Sequence, residues 1–146
     1  AGHQIHFIPD ASMMYYMKSC DGVFMGAESI YPDGTGFNTT GSDIVGLLCD
    51  YFHVPLYFIS PLIKLDVRPV YGKEKCTVIN DLRSKLEPVA NPKQVKGTID
   101  YTAPELLAVS PGFIKAFITE QGVIPATQLY DISMKYIKEL RGADDV

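Results

Sequence analysis

The chain has 146 residues, 47% hydrophobic and 21% charged, and its 13 basic and 17 acidic side chains leave a net charge of −4. That length is one domain's worth and buries enough core to need no disulfide or metal staple. The composition excludes a disordered tail, a collagen-like repeat and a coiled coil, and the acidic balance lacks the footprint of a non-specific nucleic-acid binder.

Cys20, Cys49 and Cys76 are scattered and form no C-x-x-C pair. Neither a disulfide framework nor a structural zinc site is expected. An odd count suits a reducing compartment, and the expected location is cytoplasmic. No run approaches the ~20 apolar residues of a membrane span, so no membrane partner is expected. No secretory signal peptide is read. The chain opens Ala1-Gly2-His3 without a methionine and reads as part of a longer protein.

Ile5-His6-Phe7-Ile8 is short, apolar and β-branched at its ends, and predicts a strand. Asp10 follows as a candidate helix cap. Met13, Met14, Met17 and Cys20 recur at near-helical spacing, giving a helix over about 11–19. Val23-Phe24-Met25 is a second strand, ended by Gly26. Residues 27–42, rich in Gly, Pro, Asp, Asn and Thr, predict a long loop. Ser42 or Asp43 then caps a helix to about Phe52, with Ile44, Leu47, Leu48 and Tyr51 on one face. Leu56-Tyr57-Phe58-Ile59 is a third strand.

Strand, helix, strand, helix, strand is the order of a parallel sheet with right-handed crossovers. Continuous rather than alternating apolar strands agree with burial on both faces. The fold class is α/β: a Rossmann-like open, mostly parallel sheet flanked by helices, with residues 1–146 forming a single domain.

Beyond it, Val67–Thr98 predicts irregular chain with a helical turn near Asn80–Leu86, Val78-Ile79 being its strongest apolar pair. Asp100 or Thr102 reads as the cap of a helix with Pro104 in its first turn. Pro111 predicts another, with Phe113, Ile114, Phe117 and Ile118 as its apolar face. Gly122 closes it before a short strand at Val123-Ile124. A last helix begins near Pro125 with the stripe Leu129, Ile132, Tyr136, Ile137 and Leu140 and ends at Arg141-Gly142. Asp144-Asp145-Val146 reads as a frayed tail.

In an open parallel sheet ligands bind beyond the carboxyl ends of the strands. That rule selects the segments 9–12, 26–42 and 60–66, which hold Asp10, Glu28, Asn38, Thr39, Thr40, Ser42, Lys64 and Asp66. Gly34 to Ser42 presents three glycines and several hydroxyls before a helix start, where free N–H groups and the helix dipole favour an anion. It lacks the P-loop lysine and the dinucleotide glycine spacing. Glu28, just past a strand end, is a candidate acid–base group, and Lys64 a point charge for an anion. The bland alternatives are a cap, a solvated carboxylate and a surface lysine. His3, His6 and His53 show no ligand spacing, so no metal and no cofactor are expected. Met13, Met14, Met17 and Met25 read as core filling, and the three cysteines as buried small hydrophobes.

Six segments in order carry a resemblance. They are Ile8-Pro9-Asp10-Ala11-Ser12, Asp21 to Glu28, Asn38 to Ser42, Val54 to Tyr57, Asp100 to Glu105, and Ile118 to Ile124. Together they resemble the C-terminal half of the superfamily that contains the alpha, beta and delta regulatory subunits of translation initiation factor 2B. Methylthioribose-1-phosphate and ribose-1,5-bisphosphate isomerases belong to the same superfamily. The resemblance implies a C-terminal domain that pairs with its copy in another subunit. It also implies a helical N-terminal domain and a first strand–helix unit outside this sequence.

Within that resemblance the isomerases carry aspartate where this chain has Glu28, and Asn-Lys where it has Asn38-Thr39. Their catalytic cysteine has no counterpart among Cys20, Cys49 and Cys76. Residues 107–112 look like an insertion. These departures favour a regulatory scaffold subunit that assembles with other initiation factor 2B-type subunits or initiation factor 2, with no direct nucleic-acid contact. The exposed sides of the helices at 111–120 and 126–141 are its expected contacts. The alternative is an aldose–ketose isomerase for a phosphorylated pentose, with Glu28 moving a proton and Asn38, Thr39, Gly41, Ser42 and Lys64 around the phosphate. A surviving pocket that senses a phosphosugar or nucleotide lies between the two.

Overall fold

A computed structural model describes residues 2–73, 79–90 and 97–141, without the side chains of residues 140 and 141. Cys76, Val78, Gly142 and the tail from Asp144 lie outside the described residues. The central sheet has the order β1-β4-β8-β9: β1 is Val23–Gly26, β4 Leu56–Ile59, β8 Ile114–Thr119 and β9 Gly122–Pro125. β1, β4 and β8 run parallel, and β9 turns back antiparallel to β8. Helices α1 (Met13–Met17), α2 (Ser42–Phe52) and α4 (Leu129–Arg141) flank it. The fold is therefore α/β with a mostly parallel sheet, as the element order implies.

The core is built from one side of each strand. Leu56 and Phe58 of β4, Phe117 of β8 and Ile124 of β9 are buried, together with Leu62, Val109 and Leu129. The register pairs Phe58 with Phe117 and Phe117 with Ile124, so these side chains share one face of the sheet. The Phe58 and Phe117 rings are tilted, 5.7 Å between centroids, within the range where aromatic pairs attract beyond their buried area.

Several expectations are corrected. Residues 3–9 form no strand and are mostly exposed, Phe7 fully. A strand needs a hydrogen-bonding neighbour, and β1 pairs only with β4 among the described residues. Asp10 makes no side-chain cap; Asp10–Ser12 is a 3-10 turn leading into α1. Residues 27–42 are not a loop. They hold β2 (Ser29–Ile30) and β3 (Gly36–Thr39), an antiparallel hairpin. Its turn is closed by Tyr31 N–H to Thr35 O (2.8 Å), Gly34 N–H to Tyr31 O (3.0 Å) and Thr35 N–H to the Asp33 carboxylate (2.8 Å).

The segment predicted as a helix from Pro111 is a 3-10 turn, Pro111–Phe113, followed by the central strand β8. A strand buried on both faces shows continuous apolar residues, which also fit helical spacing. Thr102–Pro104 is likewise strand β6, antiparallel to β5 (Ile79–Asp81). Asp100 does bond ahead to Thr102, through its N–H (2.9 Å) and hydroxyl (2.8 Å), but the chain then runs extended. Those two bonds hold the Asp100 carboxyl below the usual carboxylate range. The helical turn expected near Asn80–Leu86 is α3, Arg83–Ala90. Residues 107–109 of the apparent insertion lie in β7 (Leu106–Val109), the third strand beside β3.

α2 and α4 lie where predicted. The α2 N-cap is Gly41, at φ +100°, with no side-chain cap from Ser42 or Asp43. It buries Ser42 and Cys49 beside Gly46 and packs Val45, Leu48 and Phe52 on the core, so of the predicted stripe Leu48 faces inward while Ile44, Leu47 and Tyr51 are exposed. Burial raises the Cys49 thiol to about 11, its first cause being desolvation. Cys20 and Met14 are exposed, not core. His6 is exposed with its ring 6.2 Å from that of Tyr16, and His53 ends α2 at φ +56°.

Gly34 locks the hairpin against the 3-10 turn Ala126–Gln128 that precedes α4. It sits at φ +91°, and a Cβ there would lie 2.9 Å from Ala126 O and 3.0 Å from Pro111 Cβ. Gly41 has a similar φ with open space around it. Gly34→Ala is therefore expected to cost about 2–3 kcal/mol and Gly41→Ala about 1 kcal/mol. Urea denaturation of both variants checks the difference; equal costs would mean that only the backbone conformation matters.

Candidate functional site at the carboxyl ends of the parallel strands

β1, β4 and β8 end on one rim, and side chains tie the three ends together. The Lys64 ammonium donates to Ala27 O, 2.6 Å away, joining the segment after β4 to the segment after β1. Leu62 N–H donates to both oxygens of Glu120 (3.1 and 3.0 Å), joining the same segment to the turn after β8. Leu62 is buried, so this N–H depends on Glu120 for a partner. Ser60 N–H donates to Ile118 O at 3.1 Å and continues the β4–β8 ladder past the strand end. The 3-10 turn Leu62–Lys64 is thus held at both ends.

Glu28 stands on this rim. Ala27 before it is buried, its own N–H donates to Phe37 O at 2.7 Å, and the residue is exposed. The backbone is fixed while the carboxylate remains accessible. The β2–β3 register ends at the pair Ser29–Phe37, and the Glu28 N–H on Phe37 O sets Glu28 beside Phe37, the residue before Asn38. Lys64 on Ala27 O completes the group. An ammonium has three donors, so two remain for another acceptor.

Lys64 reaches the carbonyl before Glu28, while Asn38 and Thr39 lie in β3, paired with Leu107 and Leu106, and not in a glycine-rich loop. Thr40 is anchored by its N–H to Glu105 O (3.0 Å) and by its hydroxyl to Pro104 O. Gly41 follows as the N-cap, and Ser42 is buried in the first turn of α2. Asp66 belongs to another interaction: its carboxylate takes a bidentate bond from Arg68 (2.6 and 2.8 Å). Among the described residues, no three His, Cys, Asp or Glu side chains gather where they could hold a metal. No described helix is long and apolar enough to cross a membrane.

Glu120 is the rim residue that the carboxyl-end rule missed, because the rule searched only the loops after β1 and β4. The apolar residues of β8 also fit helical spacing, which hides the strand end that precedes Glu120. The segment Ile118 to Ile124, already notable as a sequence motif, was the available signal.

The Initiation factor 2 subunit family matches residues 1–126. Ribose 1,5-bisphosphate isomerase from Pyrococcus furiosus is 30% identical over 135 residues, 90% of this chain and 40% of that protein. A 5-deoxyribose 1-phosphate isomerase from Clostridium botulinum is 29% identical, over 85% of this chain and 36% of its own length. The chain thus spans well under half the length of these relatives. Among solved structures, 5-methylthioribose 1-phosphate isomerase from Pyrococcus horikoshii superimposes with a TM-score of 0.75 at 18% identity, over 95% of this chain and 38% of that one, a likeness of fold. Subunit delta of translation initiation factor eIF-2B from A. fulgidus gives 0.67 at 25% identity, over 89% of this chain and 37% of that one. With the family matched over most of its length, this chain belongs to the Initiation factor 2 subunit family.

Proposed function

We propose that the chain supplies the carboxylate-bearing half of an aldose–ketose isomerase site for a phosphorylated pentose. The observation that carries the reading is the exposed Glu28, its N–H fixed on Phe37 O and Lys64 bonded to the carbonyl just before it, on the rim where a parallel sheet binds ligands. The isomerisation breaks the ring bond C1–O4, moves the C2 proton to C1 and leaves a carbonyl at C2, the O2 hydroxyl proton ending on O4; C2 is oxidised as C1 is reduced, so the electrons stay within the substrate and phosphate stays on C1. Glu28 is the group that takes the proton from one carbon and returns it to the next. Lys64, Asn38, Thr39 and the N-terminus of α2 at Gly41 and Ser42 face the phosphate. Support comes also from relatives named as isomerases of ribose 1,5-bisphosphate and 5-deoxyribose 1-phosphate, which match most of this chain. The working protein in this reading is a cytoplasmic oligomer that pairs through this sheet-and-helix body.

One observation favours a second reading. Glu28 replaces the aspartate, and Thr39 the lysine, of the isomerases the chain resembles. That pattern, with the likeness to an initiation factor subunit, suits a regulatory scaffold that contacts other subunits or initiation factor 2 and senses a phosphosugar or nucleotide.

A thermal-shift titration separates them. A ligand specific for the native state stabilises it by ~2.7 kcal/mol at a hundredfold excess over its dissociation constant, a rise of roughly 8 °C for a chain of this size. The isomerase reading expects that rise with phosphorylated pentoses. A rise with nucleoside monophosphates alone favours the sensor, and a flat response to every ligand contradicts a working pocket.

A further inference from the structure

Glu120 holds the start of the short segment that carries Lys64. The 3-10 turn Leu62–Lys64 makes its own bonds only from Lys64 N–H to Pro61 O (3.1 Å) and from Leu65 N–H to Leu62 O (2.9 Å). N–H groups at the start of a helical turn find no partner inside it. Leu62 is fully buried, so water does not serve its N–H. Both Glu120 oxygens do, at 3.1 and 3.0 Å. A carboxylate acceptor makes such a bond roughly twice as strong as a neutral one.

The far end of the segment is tied to β2. Asp66 N–H donates to Ile30 O at 2.8 Å, and Leu65 bridges Ile30. Lys64 lies between the two anchors, and its ammonium reaches Ala27 O at 2.6 Å. Ala27 is buried and immediately precedes Glu28, so the acceptor is fixed. The ammonium keeps its place only while the turn keeps its own. A displacement of about 1 Å stretches that bond out of hydrogen-bond range.

We propose that Glu120 is a positioning residue: through the Leu62 N–H its carboxylate holds the Lys64 ammonium on the carbonyl before Glu28, where it meets the substrate phosphate. The phosphate part of the inference rests on the isomerase reading. The link from Glu120 to Lys64 is independent of it.

Two readouts test the proposal, with circular dichroism to establish folding. The first is lysine acylation by acetic anhydride followed by peptide mass spectrometry, with Lys115, exposed on β8, as internal reference. In the wild type Lys64 is expected to react about tenfold more slowly than Lys115, because its ammonium is hydrogen-bonded. Glu120→Ala abolishes the difference. Glu120→Gln keeps an oxygen for the Leu62 N–H and restores most of it. Glu120→Asp falls one methylene short, behaves like alanine, and replaces it should Glu120→Ala lose its fold. The second readout is the dissociation constant of ribose 1,5-bisphosphate by calorimetry. Glu120→Ala and Lys64→Ala each weaken binding about tenfold, and the double variant weakens it no further. Lys64 that is as reactive as Lys115 in the wild type, or equally protected in Glu120→Ala, overturns the inference and leaves the isomerase reading standing. Additive losses in the double variant overturn it too, since Glu120 then acts apart from Lys64. A wild-type chain that does not bind ribose 1,5-bisphosphate overturns the isomerase reading and the phosphate role with it, while the acylation still decides whether Glu120 places Lys64.

Discussion

Glu28→Gln is expected to lower isomerase turnover by about 10²–10⁴-fold while leaving the Tm within about 1 °C. The magnitude is that of removing a general acid–base group. The unchanged stability follows from the position: Glu28 is exposed, and the rim bonds nearest to it use its backbone N–H and the carbonyl of Ala27. Glutamine keeps the shape and hydrogen bonding but cannot take up a proton. Glu28→Asp moves the carboxylate back by one methylene, and misplacement on the ångström scale alone can cost ~10²-fold. It also restores the residue of the isomerases that the chain resembles, so it is expected to keep more activity than glutamine. Equal turnover in wild type and Glu28→Gln would remove Glu28 from the reaction, whatever the substrate.

Phe117→Ala is expected to destabilise the chain by about 3–5 kcal/mol, a large part of the ~5–15 kcal/mol that holds a folded protein together. Phe117 is fully buried on the central strand, paired laterally with Phe58 and Ile124. Its loss opens a void between two strands that cannot move together without breaking their ladders. Val123→Ala, beside it on β9 but 64% exposed, is expected to change stability by less than about 0.5 kcal/mol. Chemical denaturation reads both. A cost below about 1 kcal/mol at Phe117 would mean that the Phe58–Phe117–Ile124 layer is not the centre of the core.

The parts of the fold that were legible from sequence are those set by local pattern. β1 and β4 are short apolar runs ended by turn residues, and α2 and α4 keep helical spacing over three turns. What was not legible depends on distant partners. Ile5-His6-Phe7-Ile8 has strand composition but no neighbouring strand to bond. Phe113 to Ile118 fits a helical face only because β8 is central and apolar on both sides. The hairpin at 29–39 carried a signal, Pro32-Asp33-Gly34, that composition masked as loop. On α2 both faces are apolar, so spacing alone could not tell the core face, with its small Gly46 and Cys49, from the larger outer stripe.

The site follows the same division. Glu28, Asn38, Thr39 and Lys64 were reachable because parallel topology alone points to the carboxyl ends of the strands. The bonds that fix the backbone there were not, since they join distant segments: Glu28 N–H to Phe37 O and the Lys64 ammonium to Ala27 O. Glu120 needed the third parallel strand to be recognised first. The departures at Glu28 and Thr39 remain the reason that turnover, rather than family membership, decides between the two readings.

The most direct test is to follow ribose 1,5-bisphosphate and 5-deoxyribose 1-phosphate with the protein by carbon and phosphorus NMR. The account predicts that an aldose phosphate converts to the corresponding ketose phosphate, with deuterium from solvent entering at the carbon that Glu28 reprotonates. Intact aldose phosphate, with no exchange at either carbon under conditions where the protein is folded and binds it, would contradict an isomerase and leave the regulatory scaffold.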